Sequence, residues 1–213
     1  MKNNLKKKIA IFDLDGVLID SLENMKESIN QTNKKLKINI SFNRYKKFLG
    51  LPFDHIMKKM NYKNISIIKK NYKFFSEKNL NKIKIDTKIT KTLKNLKKKY
   101  YLAIFTSKDR TRTKKILEKY NFFDYIVSGS DVKKGKPYPD GLIKILNKFK
   151  KKNTDAIFFG DSLYDFKASK AAKIQFVFVN WGYSSFSNIK SKKIICIKKY
   201  EEIGKILKNF QIS

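Results

Sequence analysis

The stretch IAIFDLDGVLIDS occupies residues 9–21 and decides the fold of this 213-residue chain. Its first four residues are apolar without alternation, which is typical of a strand buried on both faces of a parallel sheet. Asp13 and Asp15 follow, so a strand continuing through Leu14 would present both carboxylates on one face at its C-terminal end. Gly16 then permits a sharp turn. We expect this strand to deliver two carboxylates to the crevice where open α/β sheets bind ligands.

Strand and helix patterns alternate through the second half of the chain. Five further strands are predicted from short apolar runs, at residues 100–107, 125–128, 156–159, 176–179 and 194–197. Amphipathic helical patterns lie between and after them, at residues 87–98, 111–120, 141–149, 166–172 and 201–210, with Asp140 as a plausible cap for the third. This alternation predicts an α/β fold with a doubly wound, Rossmann-like, mostly parallel sheet.

Residues 21–82 have a different character. They are rich in lysine, and apolar residues such as Leu22, Met25 and Ile29 recur at helical spacing without a strand-like run. A break at Gly50 and Pro52 predicts several helices joined by a turn. We interpret this segment as a helical cap that covers the crevice, inserted into an α/β core made of residues 1–20 and 83–213.

The net charge of +32 first suggests a nucleic-acid or membrane partner. Only three of the 50 basic residues are arginines, however, and a surface that reads phosphates usually carries more guanidinium forks. The lysines are spread along the whole chain, from Lys2 to Lys208. We therefore attribute the charge to composition and predict no specific nucleic-acid partner, although the field will attract small anionic substrates.

Cysteine usage and hydropathy exclude several other classes. Cys196 is the only cysteine, which rules out an intrachain disulfide or a cysteine-based zinc site, and its apolar neighbours predict a buried structural thiol. No stretch approaches the roughly 18 apolar residues of a membrane span. The sequence predicts a cytoplasmic protein without a membrane partner, and it leaves monomer and homodimer open.

Polar residues of a particular kind follow four of the predicted strands or the loops after them. They are Asp13 and Asp15, Thr106 and Ser107, Lys136, and Asp161 with Asp165. Carboxylates hold hard cations such as Mg²⁺, hydroxyls and amides hold phosphoryl oxygens, and an ammonium balances their charge. Each type alone is common at a helix cap or turn, but their joint occurrence at successive strand ends predicts a phosphate-processing site.

The four segments that carry these residues read DLDGVLIDS, AIFTS, KGKPYPDG and FGDSLYD. In this order they resemble the four motifs of the haloacid dehalogenase-like superfamily, and the whole chain is similar to its phosphoglycolate phosphatase and β-phosphoglucomutase branch. The long gap between the first two motifs is the size expected for a helical cap in that branch. The resemblance implies a Mg²⁺-dependent phosphatase that hydrolyses a small phosphorylated metabolite, of the phosphoglycolate or sugar phosphate type.

The resemblance also implies a role for each catalytic position. Asp13 would attack phosphorus and become an aspartyl phosphate, while Asp15 would first protonate the leaving oxygen and then take a proton from water. Thr106 and the amide of Ser107 would hold phosphoryl oxygens, and Lys136 would neutralise charge on the nucleophile and the phosphate.

The implied binding sites lie beside these catalytic groups. Gly16 falls within the phosphate-binding turn. Mg²⁺ would be bound by the Asp13 carboxylate, the Asp15 backbone carbonyl and the Asp161 carboxylate. Asp165 would stand behind them, orienting a water molecule or the ammonium of Lys136.

Alternative functions remain open at this point. Dehalogenases of the superfamily lack an equivalent of Asp15, which favours phosphoryl transfer here. Mutases place a histidine where this chain has Met25, which disfavours a mutase, yet a phosphomutase or phosphotransferase of the same fold stays possible. A binding protein that uses an inactivated fold, in contact with RNA through its basic surface, is the third reading.

Two further sequence features are interpreted on the same resemblance. The turn around residues 48–55 resembles the part of the cap that faces the active site, and its His55 is either a surface residue or a substrate contact. The NWGY segment, residues 180–183, resembles a loop after the fifth strand in phosphoglycolate phosphatases, and Trp181 is predicted to pack there structurally.

Overall fold

The computed structural model describes residues 7–118, 120–189 and 194–212. The parts of the predicted core at residues 1–6, 119, 190–193 and 213 lie outside the described residues. The strands are β1 (Ile9–Phe12), β2 (Tyr101–Phe105), β3 (Tyr125–Val127), β4 (Ala156–Gly160), β5 (Gln175–Val179) and β6 (Ile195–Ile197). The helices are α1 (Leu22–Leu36), α2 (Phe42–Lys46), α3 (Phe53–Lys59), α4 (Ile65–Lys78), α5 (Thr87–Lys97), α6 (Arg110–Leu117), α7 (Asp140–Phe149), α8 (Leu163–Ala172) and α9 (Glu201–Ile212).

The six described strands form one parallel sheet in the order β3-β2-β1-β4-β5-β6. β1 lies inside the sheet, with Phe12 aligned to Ile104 on β2 and to Phe159 on β4. The chain fills one side of β1 before it crosses to the other, so the strand order reverses between β1 and β4. This confirms the predicted doubly wound sheet. Ligands bind at such a reversal, beyond the carboxyl ends of the strands.

The central strand is buried on both faces. Ala10 and Phe12 pack into a core with α5 and α9, whereas Ile9 and Ile11 pack into a second core with α7 and α8. All four side chains are fully buried. The unalternated apolar run at residues 9–12 is therefore explained by helices that cover the sheet on both sides.

Helices α1 to α4 have a hydrophobic cluster of their own. In it, Met25 and Ile29 of α1 pack with Ile68 and Tyr72 of α4. Residues 21–82 contain no strand, as the periodicity predicted. An isolated antiparallel bridge between Asp20 and Lys84 brings the two ends of this segment together.

Several predicted boundaries differ from the structure. The helix predicted at residues 111–120 ends at Leu117, and the one predicted from residue 166 begins at Leu163. Asp140 is the first residue of α7 and makes no capping bond, so its prediction as a cap is wrong. Cys196 is half-buried rather than buried. In the part of the chain that the structure describes, no helix is long and apolar enough to cross a bilayer.

Candidate active site

The two aspartates of the first motif lie at the end of β1, where the chain leaves the sheet. The amide of Asp13 still donates to Phe159 of β4 at 2.9 Å, so sheet pairing fixes its backbone. Gly16 follows with a φ of +84°, and a Cβ there would lie 2.5 Å from an Asp161 carboxylate oxygen, which explains why glycine is needed. The strand ends at Phe12 instead of continuing through Leu14, yet Asp13 and Asp15 both line one cavity, as predicted.

Lys136 is the electrostatic centre of the site. It is fully buried, and its Nζ lies 2.6 Å from Asp13 Oδ1 and 2.6 Å from Asp165 Oδ1. The ammonium also lies 5.0 Å from the ring centre of Phe105 and 5.3 Å from that of Phe158. A buried ammonium is stable only when it is paired with negative charge. Lys136 and its two carboxylate partners therefore stabilise one another in the buried site.

One ammonium does not balance the carboxylates gathered here. Burial raises the pKa of Asp13 to about 7, although Lys136 lowers it, and Asp165 raises it further. Burial also raises the pKa of Asp161 well above its usual value, with Asp165 and Asp13 adding to the effect. Burial lowers the pKa of Lys136, but its two carboxylate partners raise it overall, so it stays charged. The cluster is short of positive charge.

A divalent cation fits this deficit. Asp13, Asp161 and Asp165 each offer a carboxylate oxygen, and these oxygens lie within 4.8 Å of one another. All three residues are buried, and their ligands are oxygens only, which suits a hard cation such as Mg²⁺ rather than a softer metal. The three carboxylates therefore fit a bound Mg²⁺ ion.

Asp165 connects the site to the start of α8. Its Oδ2 accepts bonds from the amide and the hydroxyl of Ser162, and the Ser162 hydroxyl caps the helix in return. Its other oxygen faces Lys136. This reciprocal capping box is the reason why α8 begins three residues earlier than its apolar periodicity indicated.

The end of β2 adds Thr106 and Ser107. Thr106 is buried, its amide donates to Val127 of β3 at 3.0 Å, and its hydroxyl accepts from the amide of Lys108 at 3.2 Å. The Ser107 hydroxyl donates to the carbonyl of Gly50 at 2.7 Å. Thr106 thus lies at the strand end as predicted, while Ser107 also ties the sheet to the helical segment.

Lys108 is a site residue that the sequence interpretation missed. Its side chain is buried, and its Nζ lies 3.1 Å from Asp15 Oδ1. The same carboxylate oxygen accepts a bond from the Ser21 hydroxyl at 2.5 Å. Lys108 and Ser21 therefore fix the orientation of Asp15. The lysine was missed because the surrounding sequence holds so many others.

Tyr183 was also missed. Its amide donates to Asp161 Oδ2 at 2.5 Å, and its hydroxyl accepts from the Ser21 amide at 2.6 Å. The NWGY segment therefore holds Asp161, one of the three clustered aspartates, in addition to the predicted packing role of Trp181, whose indole donates to Val17 at 3.1 Å. His55 is exposed on α3 and is not among the residues that line the cavity.

A small cavity of about 50 Å³ lies between the strand ends and the helical segment. Its inner wall is formed by the polar groups of the strand ends. Its outer wall is apolar and aromatic, with two cations, and consists of Met25, Tyr45, Leu49, Leu51, Phe53, Ile56, Tyr72, Lys108 and Arg112. The turn at Gly50 closes the cavity on one side, because a Cβ at Gly50 would lie 2.5 Å from Ser162 Oγ.

A family model described as haloacid dehalogenase-like hydrolase matches residues 10–179. The match begins at the second residue of β1 and ends with β5, and it includes the helical segment and the site residues described above other than Trp181 and Tyr183. The chain belongs to the haloacid dehalogenase-like hydrolase family. Enzymes of this family generally use Mg²⁺, in agreement with the acidic cluster.

Several relatives of this chain are named as phosphatases or pyrophosphatases. "Putative pyrophosphatase PpaX" of Caldanaerobacter subterraneus subsp. tengcongensis is 30% identical over 195 residues, which cover 89% of each chain. A phosphoglycolate phosphatase of Aquifex aeolicus is 29% identical over 186 residues, covering 83% of this chain and 86% of that one. Among solved structures, a "predicted phosphatase" from Clostridium acetobutylicum has a TM-score of 0.83 at 26% identity and covers 95% of this chain and 99% of its own.

Proposed function

We propose that this protein is a Mg²⁺-dependent phosphatase that hydrolyses a small phosphate monoester through an aspartyl phosphate on Asp13. The observation that carries the proposal is the buried Lys136, which bridges Asp13 and Asp165 at 2.6 Å each beside Asp161. An uncompensated group of buried carboxylates is costly to maintain for structure alone. The relatives described above are named as phosphatases and pyrophosphatases, which supports the same reaction class.

Asp13 is the proposed nucleophile. One of its carboxylate oxygens faces Lys136, which leaves the other available to the cavity that it lines. In the first step, this oxygen bonds to phosphorus as the bond to the leaving oxygen breaks. Thr106, the amide of Ser107 and the turn at Gly16 are proposed to bind the phosphoryl oxygens, and Lys136 offsets the charge that develops.

Asp15 is the proposed acid and base. Ser21 and Lys108 hold its carboxylate at the cavity wall, two residues from the nucleophile. It would deliver a proton to the leaving oxygen and then accept one from the water that attacks the aspartyl phosphate. The second step returns Asp13 to its free carboxylate and releases inorganic phosphate.

Mg²⁺ is proposed to bind to the carboxylates of Asp13 and Asp161 and to the backbone carbonyl of Asp15. When bound, the ion neutralises phosphoryl charge and lets an anionic substrate approach an anionic nucleophile. Asp165 is proposed to orient Lys136 and a water molecule, because its oxygens already face Lys136 and Ser162.

Residues 21–82 are proposed to act as a cap domain on a core of residues 1–20 and 83–213. The apolar outer wall of the cavity comes largely from this segment and supports a role in substrate choice. Met25 lines the cavity at the position where mutases place a histidine, and a thioether accepts protons poorly. This supports hydrolysis over phosphoryl transfer to a second substrate.

The proposal is tested by phosphate release from phosphoglycolate, a sugar phosphate and pyrophosphate, with and without Mg²⁺. We expect release by the wild type with Mg²⁺ and a loss of roughly a thousand-fold or more in Asp13→Asn, since the amide is a poor nucleophile. Asp155→Asn is the matched control. Asp155 lies just before β4, at the opposite edge of the sheet, and should keep full activity.

Folding of each variant is checked by thermal unfolding, so that lost activity is not mistaken for lost structure. Turnover by Asp13→Asn at the wild-type rate would refute the aspartyl nucleophile. Equal release after complete removal of divalent metal would refute the proposed Mg²⁺ requirement.

A further inference from the structure

We propose that Arg112 is a specificity-determining residue that, with Lys108, binds a second anionic group on the leaving-group side of the substrate. The inference deepens the proposed function and rests on it. It assigns the substrate to small phosphate esters or phosphoanhydrides whose leaving group carries a carboxylate or is itself a phosphate. Arg112 stands on α6, outside the four motif segments, and nothing in those motifs requires an arginine there.

Arg112 is a buried residue with donors to spare. Its side chain is 7% exposed, its Nε donates to Asp109 at 2.5 Å and its Nη1 donates to Ser76 at 3.0 Å. Within the described residues, its Nη2 donates to no protein acceptor, although Arg112 lines the cavity. A guanidinium has five N–H donors in a fork that matches an oxyanion, so an anion in the cavity would use donors that the protein leaves free.

The contacts of Arg112 hold its guanidinium in one position. Asp109 accepts a hydrogen bond from Nε, and Ser76 of α4 accepts one from Nη1. The guanidinium carbon lies 5.2 Å from the ring centre of Tyr72. A side chain fixed in this way loses little entropy when a ligand binds.

Local charge at the outer wall is positive. Asp109 is shared between Arg112 and Lys73, whose Nζ lies 3.4 Å away, so two cations face one carboxylate. Lys108 also lines the cavity, and its Nζ is paired with Asp15 at 3.1 Å. Among the described residues that line the cavity, the carboxylates are Asp13, Asp15 and Asp161, all in the inner wall. An anionic group is therefore favoured at the outer wall.

Cavity size limits what the anionic group is attached to. The cavity measures about 50 Å³, and roughly 10–15 Å³ of such space is enough to hold one water molecule. This room suits a leaving group of a few heavy atoms, such as a carboxymethyl group or a second phosphate. Tyr45 and Tyr72, both buried, also line the cavity.

The test compares substrates of similar size whose leaving groups are either charged or neutral. Phosphoglycolate and 2-hydroxyethyl phosphate differ by a carboxylate against a CH₂OH, and pyrophosphate supplies a phosphate as the second anion. The measured quantity is the ratio of kcat/KM for each charged substrate to that for 2-hydroxyethyl phosphate. The wild type should prefer one or both charged substrates, and the preferred one identifies the group as carboxylate or phosphate.

Arg112→Gln is made in an Asp109→Asn background and compared with Asp109→Asn alone. Asparagine still caps α6, and no carboxylate is left unpaired. We expect the charged-to-neutral ratio to fall about 10- to 100-fold, the range for hydrogen bonds between charged groups. Arg112→Lys, which keeps charge but not the fork, should give an intermediate ratio. Arg110→Gln is the control, because its side chain is 53% exposed and paired with Asp131 outside the cavity.

A merely structural role for Arg112 would lower activity on all substrates and leave the ratio unchanged, which would overturn the inference. The inference would also be overturned if the wild type released phosphate equally well from substrates with charged and with neutral leaving groups. The proposed phosphatase function would still stand in that case. Failure of the proposed function itself would look different, with no Mg²⁺-dependent release from any substrate by the folded wild type.

Discussion

The two walls of the cavity are built by different physical means. The inner wall lies at the ends of β1, β2 and β4, where backbone pairing between strands fixes Asp13 and Thr106. The outer wall is supplied by helices and a turn, and its side chains are held by packing and by contacts such as that from Ser107 to Gly50. Rigid pairing suits a constant reaction, and side-chain packing suits a variable substrate. We therefore expect substitutions in the inner wall to abolish turnover and substitutions in the outer wall to change substrate preference.

The largest effect is expected from Lys136→Met in the inner wall. Methionine keeps the apolar stem between Phe105 and Phe158 but leaves Asp13 and Asp165 without their cation. We expect turnover to vanish and stability to fall by about 3–5 kcal/mol, the usual result of removing one partner from a buried pair. Urea unfolding and phosphate release measure both effects.

Lys134→Met is the matched control for this prediction. Lys134 is exposed in the same loop and lies over the Tyr138 ring, so its loss should change stability by less than about 0.5 kcal/mol. If Lys136→Met unfolded at the same urea concentration as Lys134→Met, the charge balance described for the inner wall would be wrong.

A smaller effect is expected from the pair that supports the outer wall. Burial alone would raise the pKa of Asp109, but Arg112 and Lys73 lower it to about 2. The folded pKa lies below the unfolded value of about 4, so the charged form contributes stability above pH 4, and this contribution is lost as pH falls toward 2. Because solvent screens part of this interaction, we expect it to contribute about 1 kcal/mol to stability.

The measurement is the free energy of unfolding of the wild type minus that of Asp109→Asn, at pH 6 and near pH 2. The difference should favour the wild type at pH 6 and shrink in acid. Since both proteins share every other titrating group, a difference that stays constant between the two pH values would contradict the depressed pKa.

The smallest effect is expected from His55→Ala. This histidine lies in the helical segment, yet it is exposed and does not line the cavity. Substrate preference should stay unchanged, and stability should change by less than about 0.5 kcal/mol. If this variant changed the ratio of kcat/KM between substrates with charged and neutral leaving groups, His55 would contribute to substrate choice although it lies outside the cavity.

The sheet was predictable from sequence because its signals are local. Apolar runs of four or five residues that end in aspartate, threonine or glycine mark β1, β2 and β4, and the alternation with helices predicts parallel pairing. The inner wall was predictable for the same reason, since its residues follow directly after strands. Asp13, Thr106 and Asp161 all lie where the strand ends place them.

The outer wall was not predictable in this way. Arg112 lies on a short helix whose sequence neighbours are polar, and only the packing of α4 against α6 turns it toward the cavity. Lys108 was hidden by the lysine-rich composition, and the bond from Tyr183 to Asp161 joins residues 22 positions apart. Such contacts depend on tertiary packing, which periodicity does not report.

The position of β1 inside the sheet has a consequence for synthesis on the ribosome. This strand is made first, but its partners are residues 101–104 on one side and residues 156–159 on the other. Sheet pairing on both sides of Asp13 must wait until about three quarters of the chain has emerged. Long-range pairing of this kind slows folding and exposes apolar strands in the meantime. Nascent chains of this protein that stop before β4 carry Asp13, the proposed nucleophile, but no assembled active site.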